Sequence, residues 1–153
     1  MNVIVVSISI FLGWFVGKYY KSQLKGQLSL YEDLTKFSAM LALNVSSGKT
    51  PLKEFCEDFC KSASPRFQSI TQRIFDENKA LRLPIAKPES DAIEKFLVGL
   101  SAQNSMAYVA HLTFYQQYFS GKAVDVKSRL DSIGSVSEKV GLLIGLIVGV
   151  VVI

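Results

Sequence analysis

Every charged side chain in this sequence lies between Lys18 and Lys139, so the 17 basic and 13 acidic residues leave two uncharged ends. The first end runs Val3-Ile4-Val5-Val6-Ser7-Ile8-Ser9-Ile10-Phe11-Leu12-Gly13-Trp14-Phe15-Val16-Gly17 before Lys18 is reached. A helix needs about 20 largely apolar residues to cross a hydrocarbon core of about 30 Å. Residues 1–20 supply that length. Trp14, Tyr19 and Tyr20 are amphipathic rings suited to the headgroup level, and Lys18 and Lys21 can extend past it into water. A cleaved signal peptide would want a basic start and a small-residue cleavage site. No Lys or Arg precedes Gly17, and no such site follows, which favours an uncleaved anchor. The other end is the apolar run from Val140 to Ile153. As a helix it reaches only about 21 Å. It would recruit Ser135 to Ser137, thin the bilayer locally, or stop part-way. A core helix could have this length, but a segment apolar on every face and matched by a counterpart at the other end favours a membrane helix.

Orientation follows from the placement of basic residues. Lys18, Lys21 and Lys25 follow the first segment, and Lys122, Lys127, Arg129 and Lys139 precede the second. The positive-inside rule then puts the central region in the cytosol, with both chain ends toward the outer face. Two cysteines in a cytosolic domain are expected to be reduced thiols. The overall charge of +4 is too small an excess to point to nucleic acid.

The central region carries helical periodicity throughout. Leu24, Leu28, Tyr31, Leu34, Phe37, Leu41 and Val45 recur every three or four residues, with Gln27, Glu32, Asp33 and Lys36 between them. Ser46-Ser47-Gly48 stops this helix, Gly48 serving as a left-handed C-terminal cap. Thr50-Pro51 restarts, with Thr50 as cap and Pro51 in the first helical position, and Leu52, Phe55, Cys56, Phe59 and Cys60 form one face. Ser64-Pro65 repeats the start signal before Phe67, Ile70, Ile74 and Phe75. The stretch from Asn78 to Glu89, with Pro84 and Pro88, is a connection. Pro88 or Ser90 opens the next helix, whose face is Ile93, Phe96, Leu97 and Leu100. After a turn from Gly99 to Asn104, a helix from about Ser105 to Phe119 carries Met106, Val109, Leu112, Tyr115 or Gln116, and Phe119. Ser120-Gly121 ends it, and a last helix from about Lys122, with Val126, Leu130, Ile133 and Val140, continues into the apolar end. The expected fold is therefore all-α: an antiparallel bundle of about five to six helices flanked by N- and C-terminal membrane helices. Its expected parts are a membrane helix over 1–20, a cytosolic bundle over 21–138 and a membrane helix over 139–153.

Candidate chemistry is sparse. Cys56 and Cys60 stand four apart on an apolar face; a metal site would need two more donors, and the chain has one His and no further Cys. A redox pair would want C-x-x-C at a helix start, so the two read as small core residues. His111 sits among Ala110, Leu112 and Thr113 without a Ser-His-Asp or Cys-His arrangement. Glu54, Glu57 and Asp58 form the wet face of their helix, with Lys53 and Lys61 as neighbours, and nothing selects them for acid–base work. Gly48-Lys49-Thr50 echoes a phosphate loop, but Leu43 stands where its first glycine belongs and no strand precedes it. No catalytic residue, cofactor or metal ligand is expected, and the chain reads as a non-enzyme. The residues singled out are glycines. Gly13 and Gly17 are four apart, and Gly141, Gly145 and Gly149 form a ladder on one helix face. That spacing lets helix backbones approach closely in lipid, whether between the two ends or with a partner subunit.

Taken in order, these features resemble the stage III sporulation protein AB family, which is related to the F-type inner-membrane platform proteins of type II secretion. The similarity rests on the N-terminal anchor followed by a Leu-rich helix, and on Ser47-Gly48-Lys49-Thr50-Pro51-Leu52, which is similar to the family's Gly-x-x-Pro-Leu junction. It also rests on Glu94-Lys95-Phe96-Leu97-Val98-Gly99-Leu100 before Ser105, and on the closing Gly141-Leu142-Leu143-Ile144-Gly145-Leu146-Ile147-Val148. The turn departs from the family pattern in having Leu100-Ser101 where a second glycine is expected. The resemblance implies a membrane platform subunit of the channel linking mother cell and forespore in endospore formation. Its expected partners are a cytosolic secretion-type ATPase, the other membrane subunits of that channel and further copies of itself, with no nucleic acid and no small-molecule substrate. Its expected location is the cell membrane, the central domain facing the mother-cell cytosol. The competing expectation is a membrane-tethered helical adaptor unrelated to sporulation.

Overall fold

Apolar side chains spaced three and four apart, punctuated by Gly and Pro, give five helices in the computed structural model and no strand among its described residues. The model describes residues 2–48, 50–76, 87–100 and 105–151, with side chains described at 7–8, 10–48, 50–72, 87–100 and 107–132 and at positions 136, 139, 140, 143, 144, 146 and 147. The helices are α1 (Asn2–Ser47), α2 (Leu52–Ser62), α3 (Pro65–Asp76), α4 (Lys87–Gly99) and α5 (Ser105–Val151). They are all-α as expected. Residues 101–104 of the predicted turn over Gly99–Asn104 and residues 78–86 of the predicted connection over Asn78–Glu89 lie outside the described residues, as do the side chains of Ile74, Phe75, Met106 and Ile133. The end of that connection, from Lys87 to Glu89, is instead the first turn of α4.

Two differences from the sequence expectation have a local cause. The 46 residues of α1 are continuous, so over its described residues the expected membrane segment 1–20 is the first part of a longer helix and not a separate element, while at the other end α5 runs on into the apolar residues up to Val151, as expected. Among the described residues no helix is long and apolar enough to cross a membrane. Ser120-Gly121 does not end a helix either. Gly121 is exposed within α5, between the buried Phe119 and Val126. A helical glycine costs about 1 kcal/mol relative to alanine. Burial of Phe119 two residues before it and Val126 five residues after it outweighs that.

Residues cluster into two compact units: Met1–Leu28 with Val124–Ile153, and Ser29–Ala123. In the second unit Phe37 is the hub. Its ring, fully buried on α1, meets Phe55 at 5.6 Å and Phe59 at 5.2 Å on α2, Phe67 at 5.4 Å on α3 and Phe96 at 6.2 Å on α4. Phe96 in turn meets Tyr115 at 5.1 Å and Phe119 at 5.2 Å on α5. Tilted and edge-to-face pairs of this kind add about 0.5–1.5 kcal/mol each beyond the area they bury. Leu34, Leu41, Ile70, Ile93, Leu97 and Leu112 are buried in the same unit. The α1 and α5 contacts run in opposite chain directions. Tyr31 stacks near Phe119 at 6.5 Å, while Phe37 reaches α5 through Phe96, which also touches His111, nearer the start of that helix.

In the first unit Gly17 and Leu24 on α1 and Val126 on α5 are the buried positions among the described side chains. Phe11, Leu12, Phe15 and Val16 on α1, and Leu143, Ile144, Leu146 and Ile147 on α5, are exposed.

Candidate functional site

Helix ends set the geometry of the α1–α2–α3 corner. Gly48 adopts φ +63°, and its N–H donates to the Asn44 carbonyl at 2.9 Å, the left-handed cap expected from sequence. The start of α2 differs. Pro51 takes the cap position with no side-chain hydrogen bond, so Thr50 does not cap. The Thr50 carbonyl instead accepts from the Asn44 amide at 2.8 Å, tying the connection back to α1. At α3, Ser64 does cap: its hydroxyl accepts from the Phe67 N–H at 3.5 Å, and its own N–H donates to the Asp33 carboxylate of α1 at 2.8 Å. The Gln68 amide donates to the Cys60 and Ala63 carbonyls at 2.8 and 2.9 Å, meeting acceptors that the end of α2 leaves without helical partners.

The best-formed polar cluster joins three helices. Glu89 stands in the first turn of α4, where a carboxylate is favoured by the helix dipole. One of its oxygens accepts from the Tyr31 hydroxyl of α1 at 2.9 Å, and the other from the Lys122 ammonium of α5 at 2.9 Å. Lys122 also lies 5.9 Å from the centre of the Tyr118 ring. Both charged partners are only partly exposed, at 31% and 24%, so the pair is less screened than a surface bridge. Burial, and next the hydrogen bond to Glu89, push the Tyr31 hydroxyl well above the ordinary tyrosine range. A proton held this firmly makes Tyr31 a hydrogen-bond donor and a strut, not an acid. The sequence pattern places Glu89 at the end of a connection, and its reach to α1 and α5 is tertiary.

Cys56 is buried and Cys60 half-buried, both as free thiols. Burial is the main cause that raises the Cys56 thiol to about 12, with Cys60 and Glu57 adding to it. Burial also raises Cys60, against a hydrogen bond with Thr71 that lowers it. Thiols so placed are poor nucleophiles, since the thiolate is the reactive form. His111 packs its ring against Tyr115 at 4.8 Å and lies parallel to Phe96 at 6.1 Å. Asp58 pairs with Lys61 at 2.7 Å on the exposed face of α2, and Glu54 and Glu57 are exposed there as well. Among the described residues no three His, Cys, Asp or Glu side chains are grouped to hold a metal ion.

The five glycines chosen from sequence fall on the long helices. Gly13 is half-buried and Gly17 buried on α1, while Gly141, Gly145 and Gly149 are helical in α5 and their surroundings lie outside the described residues. Beside Gly13 and Gly17, Lys18 places its ammonium 4.9 Å from the centre of the Trp14 ring. No family model matches the chain, and no curated protein or solved structure matches it.

Proposed function

We propose that this chain is a membrane platform subunit that works by contact and not by chemistry. The observation that carries this is the contrast between its two compact units. Residues Ser29–Ala123 bury Phe59, Phe67, Phe96 and Phe119 in one cluster with Phe37, whereas the unit holding both chain ends exposes Phe11, Leu12, Phe15, Val16, Leu143, Ile144, Leu146 and Ile147. Apolar surface on that scale calls for a partner, and acyl chains suit side chains with no polar rim among them. The ends of α1 and α5 are then the membrane helices, with Gly13, Gly17, Gly141, Gly145 and Gly149 as positions of close helix approach. The central bundle is the cytosolic part. In the finer reading it belongs to the sporulation channel that the family resemblance suggests, in the cell membrane facing the mother cell, and binds a secretion-type ATPase and other channel subunits. Exposed Met40, Leu43, Val98 and Phe114 are its apolar surface positions in that bundle.

Membrane fractionation of the full chain tests the first part. Integral insertion keeps it in the pellet through alkaline carbonate, and release into the supernatant overturns the reading. Impermeant maleimide on intact cells tests orientation: a cysteine added after Ile153 is labelled and Cys60 is not. Labelling of Cys60 from outside reverses the topology. Co-purification from sporulating cells separates the channel reading from an unrelated adaptor. Recovery of a secretion-type ATPase supports the channel, and its absence beside other stable partners supports the adaptor.

A further inference from the structure

From the charge and aromatic placement on α1, we infer that Trp14, Lys18, Lys21 and Lys25 form a stripe that seats on anionic phospholipid headgroups. The inference rests on the membrane reading above and names the lipid class that this helix selects.

Positions 14, 18, 21 and 25 are spaced four, three and four apart, which keeps them on one side of a helix of 3.6 residues per turn. All four lie in the continuous helix α1 and in the compact unit formed by the chain ends. Lys18 is held against the Trp14 ring at 4.9 Å, so the apolar end of the stripe is an indole and ammonium in contact. Directly on its apolar side stand the exposed Phe11, Leu12, Phe15 and Val16, and at its own level the exposed Tyr19 and Tyr20. The rise from Lys18 to Lys25 is about 10 Å. That crosses one headgroup layer and reaches into the screening layer beyond it, where an anionic surface is still felt at physiological salt.

The sign of the charge selects the headgroup. Residues 1–28 contain Lys18, Lys21 and Lys25 and no acidic residue, the first being Glu32. The α5 part of the same unit holds Lys127, Arg129 and Lys139 against Asp125, Asp131 and Glu138, which cancel. This unit therefore carries +3 of the chain's +4, all of it from the α1 stripe. A zwitterionic headgroup offers such a stripe no net attraction. An anionic surface attracts each nearby lysine by about fivefold in binding constant at low salt.

Trp14 is the chain's one tryptophan, so its fluorescence reports on the stripe alone. The full chain is reconstituted in vesicles of phosphatidylcholine and phosphatidylglycerol, with one lipid or the other brominated near the top of its acyl chains. At equal mole fraction, brominated phosphatidylglycerol is expected to quench Trp14 several-fold more effectively than brominated phosphatidylcholine. High salt should shrink that preference, and K18Q/K21Q/K25Q should abolish it while circular dichroism stays helical. The variant K36Q/K53Q/K95Q, which removes equal charge from exposed positions elsewhere, should retain it. Equal quenching by the two lipids, or equal loss in both triple variants, overturns the headgroup stripe and leaves the membrane reading standing. No quenching by either lipid overturns the membrane reading itself.

Discussion

Two glycines set opposite expectations for the same substitution. Gly48 has φ +63°, a conformation in which an added Cβ is strained by about 1–2 kcal/mol even though no atom stands within 4 Å of it. Gly121 is helical, exposed and equally open, so an alanine there removes only unfolded-chain freedom. Gly48→Ala should lower stability by about 1 kcal/mol, and Gly121→Ala should raise it by about 0.5–1 kcal/mol, in denaturant titrations of the purified chain. Equal effects of one sign would mean that α5 is not continuous through Ser120-Gly121. The cysteines give a second residue-level expectation. Cys56 is 6% exposed with its thiol raised to about 12, while Cys60 is half-buried with a smaller upward shift. Maleimide at neutral pH should modify Cys60 first, and Cys60→Ser should remove the faster phase, leaving Cys56 to react only as the fold opens. A fast phase that survives Cys60→Ser would place Cys56 at the surface.

The α2–α3 corner shows what an element owes to its own sequence and what it owes to its neighbours. Ser64-Pro65 starts α3 as the pair predicts, with the serine capping and proline in the first helical position, but the cap is completed by Asp33 from α1. Asp33→Ala leaves the Ser64 N–H without its carboxylate acceptor and should cost about 1–2 kcal/mol, whereas Asp33→Asn, which keeps an acceptor oxygen, should cost less. Thermal unfolding of both variants checks this order, and equal losses would show that the bond contributes nothing beyond charge. The faces of the helices were legible because a 3.6-residue period leaves one solution. Tyr31, Leu34, Phe37 and Leu41, and likewise Ile93, Phe96, Leu97 and Leu100, are all buried as their spacing predicts. Thr50-Pro51 carries the same start signal as Ser64-Pro65 yet behaves differently, since the backbone places Pro51 itself at the cap. Leu30 and Tyr108 are buried off the predicted stripes. Both lie on long helices that meet more than one neighbour, so the buried face is wider than one row. The Tyr31–Glu89–Lys122 cluster joins residues 58 and 33 positions apart, a separation to which no local pattern is sensitive.

At the scale of the molecule, the bundle of Ser29–Ala123 gathers protonated groups in its interior, and this fixes how its stability changes with pH. Cys56 and Tyr108 are each raised by burial to about 12 from ordinary values of 9.0 and 10.0, and Tyr31 is raised further by burial and by Glu89. In every case the folded state keeps a proton that the unfolded chain releases. Below the unfolded values both states hold these protons and stability is flat with respect to them. Above about pH 9 the unfolded chain loses Cys56 first and the tyrosines next, so it binds fewer protons than the native state and stability falls. The limiting slope is about 1.4 kcal/mol per pH unit for each group in play, so the loss should steepen between about pH 9 and 12. Denaturant midpoints followed by circular dichroism across that range check the sign. Tyr108→Phe supplies the decisive comparison, because it deletes one titrating hydroxyl from a site 7% exposed while keeping the ring that fills it. The variant should lose less stability on going from pH 8 to 12 than the parent chain, whatever its stability at neutral pH. An identical fall in both would mean that the Tyr108 hydroxyl reaches water in the folded bundle.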